Sequence, residues 1–66
     1  MNGHLVVDPT DFTPEQTTEL EGRAANHGGW RHPDGVRWII PTEHPTHTKE
    51  RLVEDGWPLE AITVAR

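Results

Sequence analysis

The chain has no cysteine, no serine and no tyrosine, and Lys49 is its single lysine against five arginines. Without cysteine there is no disulfide framework, no thiolate nucleophile and no thiolate metal ligand. Without serine, only threonine could supply a hydroxyl nucleophile, and a threonine needs an adjacent base and an oxyanion site. Thr42-Glu43-His44 holds the right atom types, but sequence neighbours rarely point at one another. Long apolar runs are also missing. Leu5-Val6-Val7 and Trp38-Ile39-Ile40 are the longest, far short of the roughly 20 residues a membrane helix needs. The N-terminus lacks the basic region and apolar core of a signal peptide, so a cytoplasmic protein is expected, in a host's cytoplasm if the source is viral. The arginine bias reads as coding drift in a GC-rich bacterial or viral genome and says nothing of mechanism.

Basic charge is scarce as well. A net charge of −5 on 66 residues opposes general nucleic-acid binding, which draws its affinity from counterion release. A chain of this length is one small domain, 1–66, that buries about 60% of the surface its unfolded form exposes.

What is present is a set of element signals. Gly3 to Asp8 alternates as a short strand, with Leu5 and Val7 inward, and Pro9 ends it. Thr13-Pro14-Glu15-Gln16 is a helix start with a cap, a first-turn proline and a capping box. That helix is predicted to run to about His27, with Gly28 as its left-handed cap. Pro33-Asp34-Gly35 is a turn between apolar flanks, so Trp30 to Pro41 reads as a β-hairpin. A three-residue loop pairs His32 with Val36, Arg31 with Arg37 and Trp30 with Trp38. Pro41 then closes the second strand. A second helix is expected to start with Thr46 as cap, because the residue before Pro45 resists helical geometry. Gly56 fits its end, with Trp57 placed to pack on Leu52. Pro58 to Arg66 reads as a last strand with Ile62 and Val64 inward.

This order is a small α+β domain of the split β-α-β-β-α-β (ferredoxin-like) type. Its four-stranded antiparallel sheet is predicted in the order 4-1-3-2, with two helices on one face. The covered face is expected to hold Leu5, Val7, Trp30, Val36, Trp38, Ile40, Ile62 and Val64. Leu20, Ala24, Leu52, Val53 and Trp57 are the helix contributions. The open face is expected to show His4, Val6, Asp8, Arg31, Arg37, Ile39, Ala61, Thr63 and Ala65.

Arg31 opposite Arg37 is an unfavourable like-charge pair. It calls for an anionic neighbour, Asp8 or Glu60 of this chain or a group on a partner. The predicted contact surface is therefore Arg31, Arg37 and Ile39 with Val6 and Thr63, and the edge strand Trp30 to His32 could also extend a partner's sheet. The functional expectation is a non-enzymatic adaptor or inhibitor, of the kind viral and phage accessory proteins supply, that binds a larger protein or a second copy of itself. No cofactor, membrane or direct nucleic-acid contact is implied. RNA-binding sheets of this topology stack bases on aromatics, but the aromatic-rich pattern they need is missing.

Two other readings arise from the residues. Asp11, Glu15 and Glu19 fall at helical spacing and, with Asp8 and Glu21, could imitate phosphates in the basic groove of a DNA-binding protein. His44 and His47, with His27 and His32 and Glu43 as an oxygen donor, could hold zinc. The histidines form no recognised ligand motif.

Overall fold

The computed structural model describes residues 3–65. In chain order these form β1 (Gly3–Val7), α1 (Pro14–Asn26), β2 (Trp30–Arg31), β3 (Trp38–Thr42), α2 (Pro45–Glu54), a 3-10 turn (Leu59–Ala61) and β4 (Ile62–Ala65). The sheet order is β2-β3-β1-β4, and all three pairings are antiparallel. This is the predicted 4-1-3-2 arrangement.

Local chemistry sets the helix ends. The Thr13 hydroxyl accepts from the Gln16 amide at 3.2 Å, and the Gln16 side chain accepts from the Thr13 amide at 3.0 Å. That reciprocal box satisfies two amides that a helix start leaves unpaired. Both helices finish in Schellman motifs. At α1 the Gly29 amide donates to Ala24 O and the Gly28 amide to Ala25 O. At α2 Trp57 donates to Leu52 O and Gly56 to Val53 O. Gly28 and Gly56 have φ of +71° and +102°, the left-handed conformation that the motif needs and glycine accepts.

α2 starts two residues earlier than the Thr46 cap predicts. Pro45 is its first residue, and the restriction on a residue preceding proline falls on His44, which lies at the cap with φ −131° and ψ 69° and need not be helical. Thr42 does not cap the helix. Its hydroxyl accepts from the His44 amide and shares a hydrogen bond with Thr48.

Pro41 does not close β3 either, since the strand passes through it to Thr42. In this ladder Trp38, Ile40 and Thr42 turn their backbone groups toward β1, whereas Pro41 faces the side where β2 has already begun beyond it. A missing N–H there costs no ladder bond. The last predicted strand is also shorter. Leu59 to Ala61 form the 3-10 turn and β4 occupies Ile62–Ala65; Arg66 lies outside the described residues.

The core comprises Leu5, Val7, Leu20, Ala24, Ile40, Leu52, Trp57 and Ile62. Phe12, Trp38, Val53 and Val64 pack around it. Both helices contribute to this one cluster, so they share one face of the sheet. Phe12 was not among the predicted core residues. It meets the Trp57 ring edge-on, at 5.3 Å and 71°. Its place just before the Thr13 cap is a recognisable position for an apolar residue. Arg23 lies over the same tryptophan: it pairs with Glu19 and with Asp55 at 2.8 Å, and its guanidinium is 5.9 Å from the ring centre.

Candidate functional site on the open face of the sheet

The hairpin register decides what the open face carries, and it differs from the predicted one by one residue. Trp30 pairs with Ile39 and Arg31 with Trp38, and the His32 amide donates to Arg37 O at 2.8 Å. The loop therefore has four residues, Pro33 to Val36. Asp34 is the cause. Its Oδ1 accepts from the amides of Val36 and Arg37 at 2.9 and 3.0 Å. A three-residue loop needs the Val36 amide for a closing bond to His32 O; that oxygen instead accepts from Gly35 at 2.9 Å. Gly35, with φ +76°, makes the left-handed step of the turn.

A one-residue shift exchanges the two faces of a strand. Trp30 and Trp38 are consequently not a cross-strand pair. Trp38 faces inward beside Val7, while Trp30 lies on the open face with 52% of its surface exposed. Arg31 moves the other way. It is on the helix-covered side, with its guanidinium 5.1 Å from the Trp38 ring, a cation–π geometry that covers the outer edge of the core. The predicted place of Arg31 on the contact surface is thus corrected, as is the core placement of Trp30 and of Val36, which is 50% exposed in the loop.

Arg37 stays at the open end of the sheet and has its anion. Its Nε donates to Asp34 Oδ2 at 2.6 Å. With the arginines no longer opposite each other, the like-charge conflict expected from the sequence does not arise. Continuing the β1–β3 register one step beyond Val7 and Trp38 brings Asp8 toward Arg37. The hydroxyl and amide of Thr10 bond the Asp8 carboxylate and lower its pKa, and the Arg37 charge lowers it further.

Asp34 is held well below the usual carboxylate range by the Val36 and Arg37 amides and then by the Arg37 side chain. His32 Nδ1 accepts from the Asp34 amide at 3.1 Å. The same nitrogen lies 3.4 Å from Asp34 Oδ1.

The lowered Asp34 pKa has a testable sign. A carboxyl group whose folded pKa lies below its unfolded value of about 3.9 adds stability that is fully present above that value and lost as pH falls through the folded one. Amide exchange at Val36 and Arg37 should thus stay slow until the pH drops below about 4. In Asp34→Ala both amides should exchange fast even at neutral pH. Equal protection in the variant would mean that the carboxylate does not hold the loop.

The rest of the predicted contact set is brought together. Val6 pairs with Ile39 on one side and Thr63 on the other, and His4 with Pro41 and Ala65. With Trp30 beside Ile39, they form an uncovered strip across all four strands, edged at one end by Asp8, Asp34 and Arg37.

The other candidate residues are not gathered in this way. Asp11, Glu15 and Glu19 are exposed, but Glu19 is engaged by Arg23. His27 caps α1, His32 flanks the hairpin loop, and His44 and His47 belong to the start of α2. Among the described residues no three His, Cys, Asp or Glu side chains converge to hold a metal, and His27, His32, His44 and His47, the alternative zinc set, are not gathered. No helix among the described residues is long and apolar enough to cross a membrane.

No family model, curated protein or solved structure matches the chain.

Proposed function

We propose that the protein is a non-enzymatic interaction module, an adaptor or inhibitor acting in the cytoplasm, that binds a larger protein through the open sheet face. The single observation that carries this reading is the exposed Trp30. It stands beside Ile39, which pairs in turn with Val6, on the sheet face opposite both helices. Tryptophan is enriched among residues that dominate binding energy, and an exposed aromatic next to aliphatic neighbours marks a contact surface. Asp8, Asp34 and Arg37 at one end form a charged rim, which sets orientation and encounter rate more than affinity. The contact set is therefore Trp30, Ile39, Val6, Thr63 and Arg37, with Arg31 left out.

The test compares proteins retained from an extract of the encoding organism by the wild-type chain and by two variants. Trp30→Ala/Ile39→Thr should weaken the captured complex by roughly ten- to a hundredfold, the range of a buried aromatic anchor. Glu15→Lys/Glu19→Lys should leave it intact. If the helix variant loses the partner, and DNA competes for it, the phosphate-mimic reading replaces this one. Retention by the Trp30→Ala/Ile39→Thr protein, folded by circular dichroism, would remove the open face as the contact.

A further inference from the structure

The sheet has a second uncovered feature, the free edge of β4. The Asp8 amide donates to Ala61 O at 2.9 Å, which makes that pair a hydrogen-bonded rung of the β1–β4 ladder. Rungs alternate in antiparallel pairing, so Val6–Thr63 and His4–Ala65 are bonded as well. Ile62 and Val64 then turn their backbone groups away from β1. The Ile62 amide is already used, since it donates to Leu59 O in the 3-10 turn. Among the described residues, Ile62 C=O, Val64 N–H and Val64 C=O are left along the outer edge.

A groove of about 540 Å³ runs beside this edge under α2. Val53, Leu59 and Val64 give it an apolar floor, and Leu59 is 56% exposed. Glu50, Glu54 and Lys49 form its rim. Among the described residues neither glutamate has an ion-pair partner, in contrast to Glu19, Asp34 and Asp55.

We propose that the β4 edge and its groove take up an extended, basic segment of a partner protein as a fifth strand. The three free backbone groups bond the segment's main chain. Alternate side chains of an added strand point to one face, so an apolar residue of the segment reaches Val53 and Leu59. Its neighbours on that face come to the glutamate rim. The charge argument selects the occupant: two unpaired carboxylates against one ammonium favour a cationic strand. A second copy of this chain would bring the same glutamates and a net charge of −5 against them. This surface is separate from the open face and stands or falls independently of it.

The test uses the full chain, uniformly nitrogen-15 labelled, titrated with a blocked pentapeptide of lysine, threonine, valine, threonine and lysine, whose valine and two lysines share one face when extended, and with its glutamate–valine counterpart, in which glutamate replaces each lysine. The basic peptide should shift the amides of Val53, Leu59 and Val64 saturably. It should also slow exchange of the Val64 amide while leaving Thr63, which already bonds to β1, unchanged. Glu50→Lys/Glu54→Lys should weaken the titration by about tenfold, since two exposed charges are reversed. The glutamate–valine peptide should have no effect. Four results would each overturn the proposal. These are no shift at millimolar basic peptide, shifts confined to Val6, Trp30 and Ile39, equal binding of the acidic peptide, and concentration-dependent shifts of Val64 without peptide, which would make a second copy the occupant.

Discussion

Replacement of Trp57 by alanine is expected to unfold the domain at ordinary temperature. Trp57 is 2% exposed, belongs to the core, contacts Phe12 edge-on and supports Arg23 over its ring. Truncating a buried tryptophan costs about 3–5 kcal/mol. A single core in a chain of 66 residues rarely supplies more than about 3–5 kcal/mol, so the loss takes most or all of it. The alanine variant also frees the end of α2, because Trp57 packs on Leu52 to complete the helix stop.

Trp57→Phe should be much milder. The indole Nε1 is buried without an acceptor among the described residues, and a buried donor left unpaired costs about 1–3 kcal/mol. Phenylalanine gives up indole volume but removes that donor, and the two effects oppose each other. Urea unfolding followed by far-ultraviolet circular dichroism checks both variants. An unchanged midpoint in Trp57→Ala, or a phenylalanine variant less stable than the alanine one, would contradict this account of the core.

The features legible in the sequence are those that local chemistry decides. Thr13, Pro14 and Gln16 mark a helix start wherever they occur together, and Gly56-Trp57 with Leu52 marks a stop. The strand order followed from the element order and from the alternation of β1 and β4. Val6, Ile39 and Thr63 were placed on one face for the same reason. The hairpin was different. Pro33-Asp34-Gly35 announces a turn but not the number of residues in it, and that number depends on which amides Asp34 captures. Taking Val36 and Arg37 lengthens the loop by one residue and exchanges Trp30 with Arg31. Pro41 was misleading in a similar way, because the cost of a proline depends on which neighbour its nitrogen faces. That direction is a property of the assembled sheet.

The hairpin register has a second anchor at the other end of β2, and its removal gives the other large effect. Gly29 donates to Ala24 O at 2.6 Å. A Cβ on Gly29 would sit 2.5 Å from Ile39 O and 3.1 Å from Ala24 O. Both are backbone atoms that cannot rotate away. Gly29→Ala therefore has to push β2 off β3 or pull the end of α1 outward, at a cost on the order of 1–3 kcal/mol. Gly28→Ala is the control. Its φ of +71° is strained for alanine, but a Cβ there meets nothing within 4 Å, so it should cost stability without moving the strand.

The difference between the two variants lies in Trp30. In wild type and Gly28→Ala, its ring protons should show nuclear Overhauser contacts to Ile39. In Gly29→Ala these contacts should vanish and partner binding at the open face should fall, although every contact residue is still present. Persistence of the Trp30–Ile39 contacts in Gly29→Ala would show that Asp34 fixes the register alone. Their loss would show that the open face depends on the end of α1, because the step from helix to strand leaves Trp30 no other side to occupy.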